Sequence, residues 1–265
     1  MDWSKFARSL ARRALPVSAH AAVKRALGLP LTRLHSDWKV LEPIGPVECP
    51  HVVLDVGAHA GWFFHCWKDW CPAAVVHAFE PQVDACQQSR ELYGSDPRIH
   101  FVQAAVGSTR GELELRVMED SRVSSSFLAP VEETWKAIDY HTGAITTRKV
   151  PVIRLDDYLR EQAIDSVYLM KIDVQGFELE VLKGAEGSLG LIDHIFVESA
   201  IQPLYEGAPR FSDVFDYLDS HGFHLMTMRA WHRGNRALVE CDMLFRRNDL
   251  MPPIDPAIDR IMEQV

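Results

Sequence analysis

The chain has 265 residues, 47% hydrophobic and 25% charged, proportions that suit a globular protein with one sizeable core. Its formal charge of −9 excludes general wrapping of nucleic acid by the whole chain. The charge is uneven: residues 1–50 hold eight Lys and Arg against four acids, so a small basic head precedes an acidic body.

Residues 3–28 read as one or two short amphipathic helices broken near Pro16, with Phe6, Leu10 and Ala14 on one face and Arg8, Arg12 and Arg13 elsewhere. The favoured reading is an arm that packs on the body or on a second subunit. The alternative is peripheral contact of a basic helix with an anionic membrane surface. Pro30, Pro43, Pro46 and Pro50 punctuate the route to the main domain, so the expected divisions are a basic helical extension over 1–50, a main domain over 51–248 and a tail over 249–265.

From His51 the pattern changes. "HVVLDVG" predicts a buried strand and "WFFHCWKDW" a helix; "AAVVHAFEP" and "QVDACQQSRELYG" repeat the pair, and "RIHFVQAAVG" is a third strand. This succession implies a parallel sheet with helices on both faces. "GELELRVM" alternates strictly and reads as antiparallel or edge-like. Residues 119–150 are polar and are expected to be a loop-rich insertion. The α/β rhythm returns with "SVYLMKIDV", "FELEVLKGAEGSL" and "HIFVESA". "FSDVFDYLDSHG" predicts a helix ending at Gly222, and "FHLMTMR" and "DMLFRR" predict closing strands.

Ligands of open α/β sheets settle beyond the carboxyl ends of the strands, which makes "LDVGAHAGWF" the prime candidate. Gly57 permits a tight turn, and Gly61 opens a helix whose first N–H groups can receive an anion. A nicotinamide dinucleotide would ask for G-x-G-x-x-G, but its second and third glycines fall at His59 and Trp62. Large side chains there disfavour a pyrophosphate. Glu80 ends the second strand 23 residues after Gly57, the spacing of an acid that accepts from ribose hydroxyls. A nucleoside cofactor without a pyrophosphate accounts for both features.

These motifs resemble the FkbM-type methyltransferases, which use S-adenosylmethionine (SAM). "LDVGAHAGWF" is similar to that family's D-V-G-A-N/H-x-G motif. "HAFEP", "QAAVG", "SSSF" and "KIDVQGFELEVLKGA" are similar to later ones, with Gln175 where Glu is frequent. The resemblance spans roughly residues 50–247. It implies a Rossmann-like class I methyltransferase fold: a seven-stranded, mostly parallel sheet with the last strand antiparallel and helices on both faces. It implies methyl transfer, usually to a hydroxyl oxygen of a sugar, glycan or other small metabolite. It implies SAM contacts at Asp55, Gly57, Ala58, His59, Gly61 and Trp62, at Glu80 and Pro81, at Gln103 and Ala104, and at Asp173.

Transfer from a sulfonium needs donor and acceptor held in line, and an alcohol acceptor must lose a proton. Asp173, after the fourth strand of the α/β rhythm, is the first candidate for the site floor. It also has the alternative of capping the next helix. Glu198, at the end of "HIFVES", is a second cleft candidate. His59 titrates near neutrality and is the third, although a family position that accepts Asn cannot hold an obligatory base. Its expected role is to shape the loop, with contact to the acceptor. Two rival functions stay open: an NAD(P)-linked oxidoreductase, and a non-catalytic SAM-fold subunit that binds a partner. His221 and His224 lack companions for a metal set, so no metal is expected. Five cysteines without C-x-x-C point to reduced thiols and a cytoplasmic setting. No apolar run approaches the ~20 residues of a membrane helix, and Arg and Lys interrupt any secretory-signal core.

Overall fold

The structure is a computed structural model that describes residues 36–139, 143–233 and 237–251. The amphipathic segment expected over 3–28 and most of the tail lie outside the described residues.

The β-branched run "VVLDV" forms β1 (Val52–Val56), followed by α1 (Trp62–Trp70), β2 (Val75–Phe79), α2 (Val83–Tyr93) and β3 (Ile99–Val102). Then come β4 (Ala105–Val106), β5 (Gly111–Met118), α3 (Glu132–Ala137), β6 (Ile145–Ile153), α4 (Leu155–Glu161) and β7 (Val167–Ile172). The chain continues through α5 (Glu178–Gly184), β8 (Ile192–Ala200), α6 (Phe211–Ser220), β9 (Phe223–Arg233) and β10 (Ala237–Arg247).

The main sheet has seven strands in the order β3-β2-β1-β7-β8-β10-β9. β1, β2, β3, β7 and β8 pair in parallel, and β10 runs antiparallel to both neighbours. The expected seven-stranded sheet with an antiparallel last strand is therefore present. Strand order reverses between β1 and β7, which opens a crevice at their carboxyl ends.

Alternation along each strand sends side chains to two cores. Leu54, Val56, Met170, Ile172, Ile195 and Val197 meet α4, α5 and α6 on one face. Val53, Leu169 and Phe196 meet Phe63, Phe64 and Trp67 of α1 on the other. Val40, Leu41 and Ile44, from a 3-10 helix over Ser36–Ile44, join this second core, so the later part of the N-terminal extension packs on the body.

Two expectations need correction. The run "RIHFVQAAVG" is not one strand: it breaks at Gln103–Ala104, and β4 leaves for a second, three-stranded sheet ordered β4-β6-β5. Residues 119–150 are not uniformly loop: they hold α3 and the first part of β6. β6 pairs antiparallel with β5 from Gly111↔Val152 to Met118↔Ile145. Pairing with β5 organises a polar segment that local composition leaves irregular. The antiparallel reading of "GELELRVM" holds.

Candidate active site

The turn after β1 is held from three sides. Gly57 and Ala58 N–H both donate to Phe79 O at 3.0 Å, and Gly61 N–H donates to Ala58 O at 2.8 Å. Gly57 has φ +80, and a Cβ there would stand 1.9 Å from the carbonyl oxygen of Asp173. Backbone therefore approaches backbone where only glycine fits. His59 has φ 45, the left-handed region, which Asn and His tolerate better than most residues. Its main chain is tied at both ends: His59 N–H donates to Glu80 Oε2 at 2.8 Å, and Ser89 Oγ donates to His59 O at 3.1 Å. Burial pushes the imidazole below its ordinary pKa against the pull of Asp173, so the ring is neutral at neutral pH.

Glu80 is buried at the end of β2. Its second oxygen, Oε1, accepts from Gln82 N–H at 2.7 Å. Burial pushes its pKa up to about 7, against the backbone donors of Gln82 and His59. Each oxygen accepts one of these bonds and has capacity for a second, and Glu80 lines the crevice.

Behind the turn lies a residue that inspection of the motifs missed. Lys171 sits on β7 directly opposite Asp55 of β1 and is 2% exposed. Its Nζ donates to Gly57 O at 2.7 Å and lies 3.1 Å from Asp55 Oδ1 and 3.6 Å from Asp173 Oδ2. Burial opposes the ammonium, but Asp55 and Asp173 outweigh it and raise its pKa. One cation thus ties the β1 turn to the β7 turn. Asp173 is also gripped from the front: Gln175 Nε2 donates to its Oδ1 at 2.8 Å, and Tyr205 Oη donates to Gln175 Oε1 at 2.9 Å.

Two cavities open here. The first, about 300 Å³, runs under Gly57, Ala58, His59, Glu80 and Pro81 between apolar walls that include Val106, Leu115 and Phe127. The second, about 220 Å³, is lined by carboxylates of Asp173, Glu198 and Glu240 and by Trp135. Val123, Asp173 and Gln175 line both, so the two share a wall. Glu198 stands opposite Asp242 in the β8–β10 ladder. Burial, then Asp173, Glu240 and Asp242, push its pKa well above the glutamate range, with Lys171 opposing.

The sequence profile described as the Methyltransferase FkbM domain matches residues 55–225. The chain belongs to the FkbM methyltransferase family. The 2-O-methyltransferase NoeI of Sinorhizobium fredii is 30% identical over 209 residues, covering 75% of this chain and 80% of that one. The 31-O-demethyl-FK506 methyltransferase FkbM of Streptomyces tacrolimicus is 26% identical over 194 residues, covering 65% of this chain and 72% of that one. A crystal structure of a methyltransferase FkbM from Methylobacillus flagellatus aligns with a TM-score of 0.49 at 15% identity, over 89% of this chain and 57% of that chain.

On this FkbM chain, Gly57, Ala58, His59, Trp62, Glu80, Pro81, Ala104 and Asp173 line the first cavity, and Glu198 lines the second. Three expected contacts do not line either. Asp55 is fully buried behind the turn against Lys171. Gly61 is packed below it, where a Cβ would meet the Phe64 ring at 2.3 Å. Gln103 is exposed beside the strand break. Lys171, Glu240, Trp135 and Trp38 are among the lining residues the motif reading did not single out, and Gln175 was noted only as a departure from the family motif. A lysine inside the apolar run "YLMKI" was the one available signal, because a cation on a buried strand needs a buried partner. Among the described residues, no group of three His, Cys, Asp or Glu is arranged to hold a metal ion.

Proposed function

We propose that this protein is a SAM-dependent O-methyltransferase acting on a neutral hydroxyl of a sugar, glycan or other small metabolite. The observation that carries the reading is the pair of cavities with a common wall at Asp173 and Gln175. The first suits SAM: an apolar slot for the adenine, Glu80 with lone pairs for the ribose hydroxyls, and a glycine cradle that a single Cβ would fill. SAM supplies an electrophilic methyl group on a sulfonium. Asp173 is then the wall residue between cofactor and acceptor, and Lys171 and Gln175 hold it. His59 is assigned to loop shape. The second cavity is the acceptor's. Its carboxylates accept hydroxyl hydrogens and repel anions, and Trp135 adds an apolar surface. The relatives named a 2-O-methyltransferase and a 31-O-demethyl-FK506 methyltransferase support oxygen as the atom modified.

Membership of a methyltransferase family removes the oxidoreductase alternative. No helix among the described residues is long and apolar enough to cross a membrane. The five cysteines stand as thiols, which suits a reducing, cytoplasmic setting. The test has two stages. Calorimetric titration is expected to register SAM and not NADH. Methyl-labelled SAM is then offered with neutral glycans, lipids and their phosphorylated counterparts. Label is expected on neutral hydroxyl compounds. Binding of SAM with no transfer to any of them would favour the partner-binding subunit, and preference for phosphorylated acceptors would refute the acid-walled acceptor site.

A further inference from the structure

Five side chains in the two cavities have proton-accepting chemistry, and their surroundings separate them: Glu80, on the cofactor side, is taken up by the backbone donors of His59 and Gln82, and Glu240, on the acceptor side, has an interaction of its own, which leaves His59, Asp173 and Glu198. His59 lines the cofactor cavity but not the acceptor cavity. Asp173 lines both, yet Gln175 donates to one oxygen and the Lys171 ammonium faces the other, so both of its oxygens are already engaged. Glu198 lines only the acceptor cavity, and among the described residues no donor is hydrogen-bonded to its carboxylate. It lies near the carboxyl end of β8, faces Asp242 across the ladder, and has Glu240 on the same cavity wall.

We propose that Glu198 is the proton acceptor of the methyl transfer. The inference rests on the SAM-dependent reading above. The acceptor oxygen forms its bond to the methyl carbon while the S–C electron pair stays with sulfur, and the hydroxyl proton passes to Glu198. A sulfonium and a carboxylate become a thioether and a carboxylic acid, so no net charge is stranded in a poorly solvated cleft. The groups facing Glu198 fit this role. Asp173 on the β7 turn and Glu240 and Asp242 on β10 favour its protonated form, and only Lys171 on β7 opposes them. A nearby cationic ligand therefore draws the proton off Glu198 before reaction, and loss of that cation restores its affinity for the proton.

The first measurement needs no acceptor. SAM and S-adenosylhomocysteine, its uncharged product, are titrated calorimetrically into the full chain at pH 7 in phosphate and in Tris buffers. SAM is expected to release more protons than S-adenosylhomocysteine. Glu80 meets the nucleoside shared by both ligands, so the difference isolates the sulfonium. Glu198→Gln is expected to abolish that difference while leaving SAM affinity within about threefold. With a labelled acceptor in hand, the same variant is expected to lose at least about 100-fold in kcat. Glu198→Asp is expected to retain intermediate activity and the proton release. Proton release unchanged in Glu198→Gln, or kcat above a tenth of the parent's, overturns the proposal. Should Glu198→Gln not fold, unchanged kcat in Glu198→Asp together with lost proton release overturns it. Failure of the parent chain to bind SAM at all would instead reject the reading on which the proposal rests.

Discussion

Removing the Lys171 ammonium should produce a defect whose size depends on pH. Lys171 and Asp55 face one another from neighbouring strands with almost no solvent access, 3.1 Å apart. At an effective dielectric of about 20, unit charges at that distance attract by about 5 kcal/mol. In Lys171→Met, Asp55 loses that partner and must take up a proton to remain buried. Protonating a carboxylate of ordinary pKa at pH 7 costs about 4 kcal/mol, which caps the loss and agrees with the usual 3–5 kcal/mol for breaking a buried pair. The sign follows directly. The variant's Asp55 has a raised folded pKa, so its stability is greatest below the unfolded value and is lost as pH rises. Urea unfolding of parent and variant at pH 5, 6 and 7 should show a deficit that grows by about 1.4 kcal/mol per pH unit. In Asp55→Asn/Lys171→Met both charges are gone, and stability should return to near the parent's with no such pH dependence. Cofactor affinity should stay impaired in the double variant, because Gly57 O and Asp173 still lack their cation. A deficit in Lys171→Met that does not change with pH, or a double variant as unstable as the single one, would refute the reasoning.

His59→Asn should keep SAM affinity within about threefold by calorimetry, since Asn also tolerates φ 45, whereas the β-branched His59→Val should lose about tenfold or more. Loss of transfer in His59→Asn with SAM binding intact would make the imidazole a chemical participant. Burial pushes Glu80 and Glu178 up to about 7. Their contribution to stability is therefore complete below about pH 4.3 and is lost as pH rises through 7. The melting temperature should fall between pH 5.5 and 8, and Glu178→Gln should flatten that fall; a parent profile that rises over this range would contradict the assignment.

The β-α-β succession was legible because β-branched runs alternate with helices whose apolar face repeats at helical spacing, and Gly57 and Gly222 sit where the chain turns. Gly57 and Glu80 were legible as a pair because their spacing follows from strand length and crossover length alone. β6 was not legible. "ITTRKVPVI" contains Pro151 and alternates among polar residues, and it becomes a strand through its ladder with β5. The different settings of Gln103 and Ala104 have a similar cause: at the break after β3, Gln103 is exposed while Ala104 lines the cavity.

By itself, the sequence determined the fold class, the glycine turn after β1 and the positions of Glu80, Asp173 and Glu198 at or near strand ends, because strand ends and glycine positions are local features of the chain. Only the tertiary structure decided what those acids face. Asp55 and Lys171 meet because β1 and β7 become neighbours at the reversal of strand order, and Glu198 joins Glu240 and Asp242 because β10 inserts antiparallel beside β8. Charge interactions depend on distance through space, which strand pairing sets and sequence separation does not. The division between a braced Asp173 and an unbraced Glu198 is therefore a property of the sheet.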